Sequence, residues 1–166
     1  MVTQGKISQR ESAIWDALRS VHDPEIPVLS VVDLGMVAAV RVGEPVVEID
    51  LTPTFVGCPA VDVIRAEIDR AVRKTGETNL AVKVVYDPPW TSDRITEQGR
   101  RKLLEFGLAP PGEKCSANSP DRTFDAQCPY CRSMNTTLES IFGPTLCRSI
   151  HYCRDCLQSF EQFKTI

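Results

Sequence analysis

Histidine is almost missing from this 166-residue chain: there are two, His22 and His151, and neither sits in a nucleophile–base motif. No glycine-rich phosphate loop, HExxH helix or paired-carboxylate signature is present, which argues against a free-standing enzyme. Basic charge is not in excess. The net charge of −3 leaves no electrostatic footprint for nucleic acid or an anionic membrane. No apolar run approaches membrane-spanning length, and Met1 to Ser12 lacks the basic-then-apolar layout of a signal peptide, so the expected location is the cytoplasm. Internal repeats and low-complexity tracts are also lacking. What is present is an ordinary globular composition, 42% apolar and 25% charged, with seven cysteines. In a reducing compartment these read as metal ligands or reactive thiols rather than disulfides. Five of the seven lie after residue 120.

The stretch Thr52-Pro53-Thr54-Phe55-Val56-Gly57-Cys58-Pro59 joins a readable strand to a readable helix. Before it, Val47, Ile49 and Leu51 alternate with Glu48 and Asp50, the period of a half-buried strand. After it, Val61, Ile64, Ile68, Ala71 and Val72 recur at helical spacing. Pro59 suits the first helical position, so Cys58 is expected at the helix N-terminus, where orphan N–H groups and the dipole favour a thiolate. Gly57 would leave the sulfur unshielded. The same residues also suit a small buried thiol that packs the loop.

Taken in order, Ser8-Gln9-Arg10-Glu11 has the form of a capping box, followed by Ile14, Leu18 and Val21 at helical spacing. That helix should end near His22, because Asp23 precedes Pro24. Asp23-Pro24-Glu25-Ile26-Pro27 is a rigid loop with two carboxylates. Strands are expected over 37–42, 46–52 and 80–86, giving the order α-β-β-α-β and an α+β sandwich over residues 8–98. A third helix follows, capped by Thr91 or Ser92 and ended by Gly107. Residues 99–123 read as the end of this helix and a linker.

Residues 124–166 carry two Cys-x-x-Cys knuckles, Cys128-Pro129-Tyr130-Cys131 and Cys153-Arg154-Asp155-Cys156, with 21 residues between them. Two such turns complete a tetrahedral thiolate site, and a structural zinc ribbon is the expected module. So small a segment cannot bury enough surface to fold unaided, so metal binding should supply much of its folding energy. A redox dithiol or an iron–sulfur site would use the same four sulfurs. Cys147 and His151 are substitute ligands in reserve, and Cys115 reads as incidental.

With these pieces placed, Asp23-Pro24-Glu25, Asp33-Leu34-Gly35, Thr52 to Pro59 and Asp87-Pro88-Pro89-Trp90 resemble the small iron–sulfur assembly domain related to the T component of bacterial SUF systems. The extension through Thr91 to Ile95, Gly99 to Leu103 and Gly107 to Pro111, ending in the four-cysteine ribbon, is similar to the D components of phenylacetyl-CoA epoxidase systems of aerobic phenylacetate degradation. The resemblance implies an accessory protein that helps assemble or maintain a metal centre. Its partners would be an oxygenase with a di-iron site and a reductase with flavin and an iron–sulfur cluster. Cys58 occupies the characteristic cysteine position and Asp23 the acidic one; Cys128, Cys131, Cys153 and Cys156 occupy the ribbon positions. Arg132 stands where a glycine often follows a ribbon's first knuckle.

The function expected on these grounds is maturation of a multicomponent oxygenase, with Cys58 holding iron or a cluster transiently and Asp23 assisting as an oxygen ligand or base. One cysteine cannot complete a cluster's ligand set, which implies a homodimer or a site shared with the client. For Asp23 the competing reading is an Asx-type turn. The alternative function is a scaffold that docks oxygenase and reductase through the ribbon, with Trp90, Tyr130 and Phe160 as aromatic anchors. A nucleic-acid-binding ribbon is disfavoured, because Arg132, Arg148, Arg154 and Lys164 are balanced by Asp125, Glu139, Asp155 and Glu161.

Overall fold

The structure, a computed structural model, describes residues 2–112 and 126–165, with residues 2–8 as backbone only. Cys115 and the stretch 113–123 of the expected linker lie outside the described residues. The chain divides into two compact units, Met1–Trp90 and Thr91–Ile166.

In the first unit, helix α1 (Val2–Arg19) begins before the Ser8 motif, which therefore lies inside the helix and does not cap it. Ile14, Leu18 and, just past the helix, Val21 are buried, as their spacing requires. The chain then turns through a loop closed by paired backbone bonds: Asp23 N–H donates to Leu29 O at 2.9 Å and Val31 N–H to Val21 O at 2.9 Å. Asp33, buried, accepts from Ser30 N at 3.0 Å and Ser30 Oγ at 2.9 Å, which holds the next turn.

Strand β1 (Val37–Val42) pairs antiparallel with β2 (Val47–Leu51). Gly43 is required in the turn, since a Cβ there would meet Val46 O at 2.9 Å. Helix α2 (Val61–Arg73) carries the chain to β3 (Leu80–Val84), which lies parallel to β2 and completes the order β1-β2-β3. Val47, Ile49 and Leu51 are fully buried together with Ile64, Ile68 and Val72 of α2. The opposite sheet face is polar: Arg41 grips Asp50 with two hydrogen bonds of 2.7 and 2.8 Å and reaches Glu48, which also pairs with Lys83. Trp90 closes the unit, buried, with its indole N–H on Leu34 O at 2.8 Å.

In the second unit, Ser92–Arg94 forms a 3₁₀ turn, and helix α3 (Glu97–Phe106) starts later than the expected cap at Thr91 or Ser92. Thr96 is the N-cap, accepting from Gly99 N at 3.0 Å. Gly107 ends the helix at φ +90°, as expected. Two elements were not foreseen. Strand β4 (Leu108–Ala109) comes from the stretch read as linker and pairs parallel with β7 (Ser159–Phe163). With β5 (Thr136–Ser140) and β6 (Arg148–Cys153) they form a sheet of order β4-β7-β6-β5. Strand β7 was hidden because Gln162 sits buried between Glu161 and Phe163 and breaks the alternation; it donates to Pro110 O at 3.2 Å. Around the knuckles, one buried cluster gathers Ala109, Ala126, Cys128, Cys153 and Phe160, with Cys156 packed against them, while Ile95, Leu103, Leu108 and Phe163 are also buried in this unit.

Asp33→Ala should cost about 1–3 kcal/mol, because it leaves a buried N–H and hydroxyl of Ser30 without their acceptor. Urea unfolding followed by circular dichroism measures it.

Candidate metal centre and thiol loop

The ribbon sulfurs converge. Sγ of Cys128 and Cys156 are 3.6 Å apart, those of Cys131 and Cys153 are 3.5 Å apart, and all four lie within 4.8 Å of one another. A metal with bonds of about 2.3 Å to four thiolates in a tetrahedron sets its sulfurs about 3.8 Å apart. The donor set and spacing therefore fit such an ion, and Cys128, Cys131, Cys153 and Cys156 are the residues that would hold it. Cys128 and Cys153 are buried, Cys156 is half-buried and Cys131 is exposed.

Each knuckle is made the same way. Arg132 N–H donates to Cys128 O at 2.9 Å and Leu157 N–H to Cys153 O at 2.9 Å. The residue after the second cysteine is left-handed in both, Arg132 at φ 65° and Leu157 at φ 60°. The sulfur environments differ. Backbone N–H groups of Cys156 and Asp155 aimed at Cys153 draw its thiol down to about 7, whereas burial, reinforced by the neighbouring thiols, pushes Cys156 up to about 12. Metal binding must displace the protons that remain, so it strengthens as pH rises.

His151 and Cys147 do not join the group. His151 is fully buried on the sheet's inner face, with Nε2 3.1 Å from Ser149 Oγ and its ring stacked on Phe160 at 5.6 Å. The sulfur of Cys147 lies 3.2 Å from Thr145 Oγ1. Phe160 and Trp90 are both buried, which removes them as docking anchors; of the three aromatics expected there, only Tyr130 is exposed.

In the first unit, Cys58 is half-buried at the end of an open loop. Gly57, at φ +80°, has nothing within 4 Å of where a Cβ would stand, and Val56 is 81% exposed. Helix α2 begins at Val61 with Ala60 as N-cap, so Pro59 precedes the helix rather than occupying its first position. The N–H groups of Ala60 and Val61 do favour the Cys58 thiolate, but they do not decide its state. Burial and, after it, the negative charges of Asp23 and Glu25 outweigh them, and the thiol is raised above its ordinary value. The setting of Cys58 therefore favours the thiol over the expected thiolate.

Asp23 is buried, and its Oδ1 accepts from Glu25 N at 2.8 Å and Ile26 N at 2.9 Å, the Asx-type turn that competed with ligation. Among the described residues, the ribbon cysteines are the one group that brings three or more such ligands together. Cys58 and Asp23 therefore do not form a complete site. Sequence reasoning noted the two carboxylates of the loop but missed the influence of Glu25 on Cys58, which spans more than thirty residues and leaves no local pattern.

These features define a class: an iron–sulfur-assembly-type α+β unit carrying a four-cysteine ribbon. Two family profiles agree, that of the iron–sulfur cluster assembly protein over residues 11–84 and that of the PaaD zinc beta ribbon domain over residues 113–164. The chain is 43% identical over 155 residues to a protein of Escherichia coli K12 that is provisionally named as the D component of 1,2-phenylacetyl-CoA epoxidase, with 92% of each chain covered. It belongs to the family of that epoxidase component. It is also 36% identical to an Fe-S protein maturation auxiliary factor of Porphyromonas gingivalis W83, over 60% of this chain and 93% of that one. Among solved structures, a DUF59 domain of Bacillus anthracis, 28% identical, matches with a TM-score of 0.54, covering 58% of this chain and 92% of that one. No helix among the described residues is long and apolar enough to cross a membrane.

Two outcomes follow from the geometry. Arg132→Gly and Leu157→Gly should each stabilise the ribbon by roughly 0.5–1 kcal/mol, the left-handed strain less the added chain entropy of glycine; denaturant midpoints of the metal-loaded protein test this. Alkylation of Cys58 at pH 8 should be slower than that of an unstructured cysteine and inflect at a higher pH. Glu25→Gln should lower the inflection and speed the reaction, because removing a negative charge favours the thiolate; mass spectrometry of the labelled peptide reads both.

Proposed function

We propose that this protein is an accessory maturation component of a 1,2-phenylacetyl-CoA epoxidase system, helping to assemble or maintain an iron or iron–sulfur centre of the oxygenase or reductase. The observation that carries the reading is the open setting of Cys58: a half-buried thiol beside an open glycine, near two carboxylates, and outside the group of three or more potential ligands found among the described residues. A permanent site would be closed, whereas a site that hands its cargo on must borrow ligands from the receiver. Iron or a cluster is here the cargo. Cys58 would hold it after losing its proton, and the charges of Asp23 and Glu25 would favour the cation. The receiver, or a second copy of this chain, would supply the remaining ligands. The relatives named as Fe-S protein maturation factors support this reading. The ribbon metal is zinc with a structural role, consistent with an all-thiolate tetrahedral set and the zinc-ribbon family. Phenylacetate catabolism in the cytoplasm is the setting this implies.

A second reading, a scaffold that docks oxygenase to reductase, draws on the apolar side chains that the second unit leaves exposed, Phe142 at 74%, Leu146 at 57% and Tyr130 at 58%. Co-purification with the oxygenase that survives Cys58→Ala but is lost on removing residues 124–166 would favour it.

Metal analysis of protein purified without air separates the two chemistries: zinc should be lost in Cys128→Ala and iron in Cys58→Ala. The maturation role is rejected if the Cys58→Ala strain shows normal cluster content in the client and normal epoxidase activity.

A further inference from the structure

The two knuckles are tied together by a polar clasp that contributes no ligand. Asp155 lies between Cys153 and Cys156, and its carboxylate accepts from Ser133 Oγ on one oxygen and from Asn135 Nδ2 on the other at 2.6 Å. Ser133 Oγ in turn accepts from Asn135 N at 2.9 Å, and Arg154 N–H donates to Asn135 O at 2.9 Å. Ser133 is two residues past Cys131, and its carbonyl accepts from Cys128 N at 2.9 Å. The network therefore joins the chain leaving the first knuckle to the middle of the second.

Both close sulfur contacts, Cys128 to Cys156 and Cys131 to Cys153, run from one knuckle to the other. A metal held there can leave only if the knuckles part or if one sulfur is replaced. Cys131 is the exposed sulfur, so it is the point of attack for a chelator or an incoming thiol. The Asp155–Ser133 bond is anchored next to it.

We propose that Asp155 is a positioning residue for the ribbon metal: through Ser133 and Asn135 it holds the Cys131 knuckle in place and slows metal release. The inference is independent of the role assigned to Cys58. Simple electrostatics makes the opposite forecast. Four thiolates around a divalent ion carry net negative charge, so a nearby carboxylate should weaken binding and an amide should strengthen it. Here the carboxylate is turned onto two donors, and its mechanical role outweighs its repulsion.

The test uses full-length zinc-loaded protein and the rate of zinc transfer to a chromogenic chelator. Asp155→Ala and Ser133→Ala should each release zinc about tenfold faster, the lower end of what outer-shell partners contribute. The double variant should be no faster than Asp155→Ala, because one interaction is removed twice. Asp155→Asn, which keeps one acceptor for Ser133, should fall between parent and alanine. In the cobalt-substituted protein, the tetrahedral d–d bands should broaden in Asp155→Ala and recover in Asp155→Asn. Release within twofold of the parent in both alanine variants, slower release from Asp155→Asn, additive effects in the double variant, or unaltered cobalt bands would each overturn the proposal. Should Asp155→Ala fail to load metal, Ser133→Ala alone decides, since it removes the bond and keeps the charge.

Discussion

The second unit depends on four sulfurs meeting at one point. Around the knuckles the apolar packing is a handful of side chains, and three of the sulfurs are themselves part of that cluster or packed on it. A cluster of that size does not by itself offset the conformational entropy of ordering the two knuckles. Four thiolate bonds to a metal would add a term large enough to do so. The left-handed Arg132 and Leu157 fit the same account: each knuckle must fold back sharply, and the strain of a non-glycine residue there would be small beside four bonds to a metal.

The first unit is stabilised differently. Val47, Ile49 and Leu51 of the central strand are buried together with Ile64, Ile68 and Val72, so ordinary burial supports it. Cys58 belongs to neither the core nor a closed ligand set; it stands on a loop whose glycine leaves space beside it. Burial and, after it, the charges of Asp23 and Glu25 raise its thiol above the ordinary value. The same chain thus places cysteine in two settings, four gathered at one point and one on a strand-to-helix loop.

The local patterns were legible where one force dominated. Alternation in Val47 to Leu51 and the helical repeat from Ile64 to Val72 reported burial directly, and the Cys-x-x-Cys pairs reported the metal site, because knuckle geometry is local. Legibility failed where a residue's role depends on a distant partner. Strand β7 carries Gln162, a buried polar residue whose amide donates to Pro110 O far away in the chain. The clasp of Asp155 joins residues twenty or more positions apart. The helix-start motif at Ser8 was real as a pattern but lay within a longer helix.

By itself the sequence determined which four cysteines come together in the ribbon and which single cysteine stands in the strand-to-helix loop, since each follows from spacing along the chain. Tertiary structure alone decided the direction in which that cysteine's thiol is shifted. Helix-start N–H groups beside it are a local feature and favour a thiolate; burial and the charges of Asp23 and Glu25 come from elsewhere in the fold and outweigh them. Electrostatic energy depends on distance through space and on access to solvent, and neither is written in the order of residues.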